Sequence, residues 1–288
     1  MILLLWQFCY STLAALTPNA NYSDVVARTK MLPLASAAYS KRPQDCLTNR
    51  FTNAVLKRRL NVECDPSKVD TCSGYSAVLN DDKAIVLGFR GTSGFLQLLE
   101  EADQSVLMRQ SPWIAGGKVS KYFNTAFMAL WNAGVRDDFN ALISQYPSYR
   151  IWVTGHSLGG AIASLAASYI IAANLTSSAR VQLVTFGQPR TGDKDFAHAH
   201  DKQMMDSFRV THWRDIVPHI PPKKLEHYHH QKYEVFYYNS MREGAAFKVC
   251  QADEDNECSD GLGITTSISD HLHYFDVDVS HYGIYGCQ

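Results

Sequence analysis

The sequence predicts an α/β fold, a mostly parallel central sheet with helices on both faces, and three observations carry that prediction. Apolar, β-branched runs bounded by turn residues recur along the chain, as strands buried on both faces require. Between them lie segments whose apolar residues fall at steps of three and four, the spacing of a helix with a buried face. No repeat and no low-complexity linker interrupts the alternation, so strands and helices read as parts of one unit.

The elements follow in chain order. Residues 75–79 and 83–89 flank the turn signal Asn80-Asp81-Asp82 and read as a hairpin. Over 122–143, Phe123, Phe127, Leu130, Trp131, Val135, Phe139, Leu142 and Ile143 form one helical stripe, and Pro147 punctuates the exit. Residues 151–154 form a short buried strand. A helix from 158 to about 173 is apolar almost all round, as expected of one packed tightly against a sheet. Strands at 181–186, 207–212 and 233–238 complete the pattern.

A chain of 288 residues can bury about three quarters of the surface its unfolded form exposes, so a full core is available. Hydrophobic residues at 46% and charged residues at 19% exclude general disorder. With a formal net charge of −1, no overall field draws the chain to nucleic acid or anionic lipid, so any attraction to a membrane must be apolar and local. The aromatic run at 233–238 lacks interleaved basic residues and offers no nucleic-acid platform.

Residues 1–15 are nearly all apolar but too short to span a bilayer, which takes about 20 residues. They read as a secretory signal with a small-residue cut near Ala14 or Ala15, although a basic residue near the start is missing. Residues 16–288 then form a single domain. Of seven cysteines, Cys9 leaves with the signal, and six remain, an even number that suits an extracellular disulfide framework. Six cysteines allow 15 pairings. Local proximity favours Cys64–Cys72 and Cys250–Cys258, leaving Cys46–Cys287 to tie the ends. Asn21-Tyr22-Ser23 and Asn174-Leu175-Thr176 are acceptor sequons compatible with glycosylation at Asn21 and Asn174. His219, His227, His229 and His230 invite a metal reading, but no companion cysteine or Glu-x-x-His spacing supplies a ligand set, so no metal is expected.

The sharpest feature is Gly155-His156-Ser157-Leu158-Gly159, set directly between the 151–154 strand and the apolar helix. A G-x-S-x-G run in that context is a nucleophile elbow, the signature of the α/β-hydrolase fold. A strand turning abruptly into a helix strains the serine backbone and leaves no room for side chains two positions either side. A serine hydroxyl is a weak nucleophile until a histidine, oriented by a carboxylate, takes its proton. The chain order Ser, Asp, His points to Asp215, in the loop after the 207–212 strand. The histidine is His271 or His273, both in Asp270-His271-Leu272-His273-Tyr274-Phe275.

Those residues resemble the class 3 lipase family, the fungal-type triacylglycerol lipases, and look closest to its secreted nematode members. The resemblance runs from about Tyr75 to Cys287. It rests on Phe89-Arg90-Gly91-Thr92, Val153 to Ala161, Thr185-Phe186-Gly187-Gln188-Pro189-Arg190, Asp215-Ile216-Val217-Pro218 and Asp270 to Phe275 in combination. It implies His271 as the base, with His273 at the variable position. It also implies an oxyanion hole from the backbone N–H groups of Thr92 and Leu158. After the oxyanion residue it implies a short helical lid carrying Phe95, Leu96, Leu98 and Leu99, although the tryptophan common in fungal lids is absent. The implied activity is hydrolysis of lipid carboxylic esters at an oil–water or membrane interface, by an acyl-enzyme on Ser157 and without a cofactor. Alternatives are a phospholipase A1 or feruloyl-type esterase, and, in another class, a lipid-binding protein with an idle triad.

Overall fold

A computed structural model describes residues 21–64, 71–90, 107, 109–224 and 227–288. The expected signal, Thr92 and the lid residues Phe95, Leu96, Leu98 and Leu99 lie outside them. Eight strands form the central sheet: β1 (Ala54–Glu63), β2 (Thr71–Leu79), β3 (Ala84–Arg90), β6 (Arg150–His156), β7 (Val181–Phe186), β9 (Ser207–His212), β11 (Glu234–Tyr237) and β12 (Lys248–Cys250), in the order β1-β2-β3-β6-β7-β9-β11-β12. A smaller sheet joins β4 (Gln110–Pro112), β5 (Lys118–Ser120), β8 (Gly192–Asp193) and β10 (Tyr228–His229), and β13 (His273–Tyr274) pairs with β14 (Val277–Asp278). From β3 to β11 every pairing is parallel, while β1–β2, β2–β3 and β11–β12 are antiparallel.

Alternation along each central strand divides the core into two layers, because successive side chains leave opposite faces. Ile85, Leu87, Phe89, Ile151, Val153 and Leu183 enter one layer with Leu158, Ile162 and Leu165 of the Leu158–Ala172 helix and Phe123 and Phe127 of the Lys121–Leu130 helix. Val86, Trp152, Val184 and Phe186 enter the other, against Leu34 and Ala35 of the Leu32–Ala37 helix and Val279 of the Val279–Ile284 helix. Helices therefore cover both faces, as an α/β-hydrolase sheet requires.

The helix expected over 122–143 is broken in two. Lys121–Leu130 and Arg136–Gln145 are joined by a wide turn at Trp131–Val135, where Gly134 takes φ 146°. The hydrophobic stripe continues across the kink because Trp131 and Val135 remain buried. Cysteine pairs are Cys46–Cys287, Cys64–Cys72 and Cys250–Cys258. Asn21 and Asn174 are both exposed. Among the described residues, no helix is long and apolar enough to cross a membrane.

Candidate active site

β6 delivers Ser157 to the tip of the sheet, and the Leu158–Ala172 helix begins at the next residue. Ser157 sits at φ 60° and ψ −133°, a strained conformation for a residue with a side chain, which costs of order 1–3 kcal/mol and persists only where its surroundings enforce it. The enforcement is visible. Its N–H donates to the Phe186 carbonyl at 2.9 Å, and a side chain at Gly159 would sit 2.2 Å from the Phe89 carbonyl oxygen, so the helix packs directly on β3. The positive end of the helix dipole lies at this bend.

Asp215 follows β9, and His271 lies in the Ile268–Leu272 helix. Both are buried, and His271 Nδ1 lies 3.0 Å from each carboxylate oxygen of Asp215. Their two loops are bridged by backbone: Ser267 N–H donates to the Arg214 carbonyl at 3.0 Å, and Asp215 and Ser267 form an isolated parallel bridge. The carboxylate also accepts from Tyr274 Oη at 2.7 Å and from the Val217 N–H at 2.8 Å. Burial alone pushes an acid up, but the His271 charge and these three donors outweigh it and hold the Asp215 carboxyl below its usual value. Among the described residues, His271 Nε2 is buried with no hydrogen-bond partner. With Nδ1 facing Asp215, that orphan nitrogen is the one on the ring left free to take up or release a proton.

His273 is exposed, with its Nδ1 2.8 Å from the Ser269 carbonyl oxygen, so the geometry separates the two histidines that spacing left open. Three of the four histidines that invited a metal are engaged individually. His229 Nε2 lies 3.1 Å from Asp253, His230 Nε2 lies 2.7 Å from the Pro218 carbonyl oxygen, and His219 Nδ1 lies 3.4 Å from Asp260.

Several residues here went unread in the sequence. Tyr274 lies inside the Asp270–Phe275 motif but shows its role only when its hydroxyl meets Asp215. Gly187 takes φ 56°, and a Cβ there would lie 2.8 Å from His271 Nδ1 and 2.9 Å from Asp215 Oδ2. Only glycine leaves space for that pair. His156, beside the serine, stacks on His271 with ring centroids 4.6 Å apart and lies 2.8 Å through Nε2 from the His271 carbonyl oxygen.

A serine held at a strained strand–helix bend, with a buried Asp–His pair carrying an unpartnered nitrogen, defines a carboxylic ester hydrolase of the α/β-hydrolase class. Comparison narrows the class. The family profile described as Lipase (class 3) matches residues 86–225. The chain is 34% identical over 302 residues to Lipase ZK262.3 of Caenorhabditis elegans, covering 94% of this chain and 84% of that one. It is 35% identical over 204 residues to a lipase of Rhizomucor miehei, covering 69% of this chain and about half, 54%, of the relative's length. Among solved structures, lipase II from Rhizopus niveus superposes with a TM-score of 0.78 at 26% identity, covering 92% of this chain and 97% of the other. The lipase from Rhizopus microsporus var. chinensis gives 0.77 at 25%, covering 90% of each. The chain belongs to the class 3 lipase family.

Proposed function

We propose that this chain is a secreted lipase acting on acylglycerols, most specifically triacylglycerols, through an acyl-enzyme on Ser157. His271, oriented by Asp215, takes the serine proton as the hydroxyl oxygen attacks the ester carbonyl. The tetrahedral oxyanion is met by the backbone N–H groups of Thr92 and Leu158, each donor contributing about 2.7–4 kcal/mol to the transition state. His271 then protonates the departing alcohol, and water, activated by the same imidazole, releases the fatty acid.

The observation that carries the reading is the buried Asp215–His271 pair at 3.0 Å with its distal nitrogen unengaged, packed on His156, the chain neighbour of a serine at φ 60°. Acylglycerols are favoured by the company the chain keeps. Relatives include proteins named secreted mono- and diacylglycerol lipase A, from Penicillium camembertii, and a Rhizomucor miehei triacylglyceride lipase. Three disulfides suit an oxidising, extracellular setting, and they support secretion. The family resemblance assigns Phe95, Leu96, Leu98 and Leu99 to a lid opened by lipid contact; equal specific activity on dissolved and emulsified substrate would argue against that part.

The deciding assay sets the purified chain on emulsified triglyceride beside a soluble short-chain ester. Turnover of both is expected, and Ser157→Ala should lower kcat by a factor on the order of 10⁶ without changing the unfolding midpoint. Activity retained in that variant refutes the assignment.

A further inference from the structure

We infer that His156 is a positioning residue for the reaction: its ring, oriented by Tyr39, holds the main chain of His271 and so aims the base. The inference rests on His271 being the base, as proposed above.

The hydrogen bonds set the direction of the relay. His156 Nε2 lies 2.8 Å from the carbonyl oxygen of His271, which can only accept, so Nε2 carries the proton. His156 Nδ1 lies 2.8 Å from Tyr39 Oη. Burial, together with the charge of His271 beside it, pushes the His156 ring down to about 3, so the ring is neutral and Nδ1 is an acceptor. Burial also raises the Tyr39 hydroxyl, which stays protonated and donates. The order is therefore Tyr39 O–H to Nδ1, then Nε2–H to the His271 carbonyl. Of the two neutral tautomers, only this one engages both partners.

Two consequences follow for the reaction. The His271 main chain cannot drift from the elbow, because the residue holding it is the immediate neighbour of Ser157. A second histidine supports the same turn from its other side: His212 Nδ1 lies 2.6 Å from the His273 carbonyl oxygen and 3.0 Å from that of Asp270. The stacked ring also has to be uncharged. His271 becomes an imidazolium once it takes the serine proton, and a second cation with its ring centroid 4.6 Å away would oppose that step. A neutral ring is instead a polarizable platform for the developing charge.

Four proteins test this: wild type, His156→Leu, His156→Gln and Tyr39→Phe. They are compared by kcat and KM on a soluble short-chain ester and by fluorophosphonate labelling of Ser157. Because displacing a reacting group by about 1 Å can cost 10²-fold, His156→Leu should lower kcat roughly tenfold to a hundredfold with KM nearly unchanged. His156→Gln, whose amide N–H can reach the same carbonyl, should recover most of that loss. Tyr39→Phe, 117 residues away in the chain, should lower kcat several-fold at constant KM by freeing the tautomer. If His156→Leu does not fold, Tyr39→Phe and His156→Gln carry the test. A wild-type protein that neither turns over ester nor labels at Ser157 overturns the hydrolase reading itself. A wild type that labels normally, beside Tyr39→Phe and His156 variants of unchanged kcat, overturns only the positioning role. A loss confined to KM overturns it too.

Discussion

Replacing Tyr274 by phenylalanine removes one oxygen from a fully buried ring and leaves the packing volume almost intact, so it isolates a single hydrogen bond. That bond runs from Oη to Asp215 Oδ2 at 2.7 Å, the length of a charge-assisted contact. Hydrogen bonds to charged groups contribute about 1.5–3 kcal/mol, and the lost donor is not replaced by water because Asp215 is 2% exposed. Urea unfolding of Tyr274→Phe at neutral pH should show that loss with an unchanged m-value. The pH dependence gives a sharper check. Asp215 is held below its ordinary value, so its stabilisation is present at and above the usual carboxylate range and is lost as pH falls through the lower folded value. The gap between wild type and variant should therefore be widest near neutrality and narrow in acid. Turnover should fall by less than tenfold, since the carboxylate charge opposite His271 remains. A variant as stable as wild type at neutral pH, or a gap that widens on acidification, would refute the account of how the carboxylate is held.

Other perturbations follow from the same geometry. Gly187→Ala places a methyl group 2.8 Å from His271 Nδ1 at a backbone φ of 56°, and should lower kcat about 10²-fold in a protein whose far-ultraviolet circular dichroism is unchanged. Arg190 is fully buried with Glu254 at 2.8 Å and Asp260 at 3.1 Å, so Arg190→Met leaves these carboxylates only Lys223, 2.8 Å from Asp260 and 3.5 Å from Glu254, and His219, and should cost up to about 3 kcal/mol by denaturant titration. Cys46 and Cys287 are 241 residues apart, whereas the other two pairs are each 8 apart. On chain-entropy grounds, removing the long-range bridge should cost about 5–6 kcal/mol and removing either short one about 2–3 kcal/mol, read as shifts in the urea midpoint.

The parallel heart of the sheet was legible because β3, β6, β7 and β9 are buried on both faces and therefore read as apolar runs. β1 was not. Its sequence carries Lys57, Arg58 and Arg59 in the middle, since it lies at the sheet edge and half its side chains meet solvent. The small sheet of β4, β5, β8 and β10 escaped because strands of two or three residues have no periodicity to read. The Lys121–Gln145 kink escaped for a related reason: a wide turn shifts the helical phase too little to break a hydrophobic stripe. Ser157 and Asp215 were legible from motif and chain order, but the choice of His271 over His273 needed either the family likeness or coordinates. Tyr274, Gly187 and Tyr39 act through a hydroxyl direction, a missing Cβ and a contact across 117 residues, none of which spacing encodes.

The backbone bridge between Asp215 and Ser267 ties the acid's loop to the residue that caps the His271 helix, so the two arrive as a prefabricated cassette. Loops within the stretch from 218 to 266 can therefore change length while that bridge keeps carboxylate and imidazole in register.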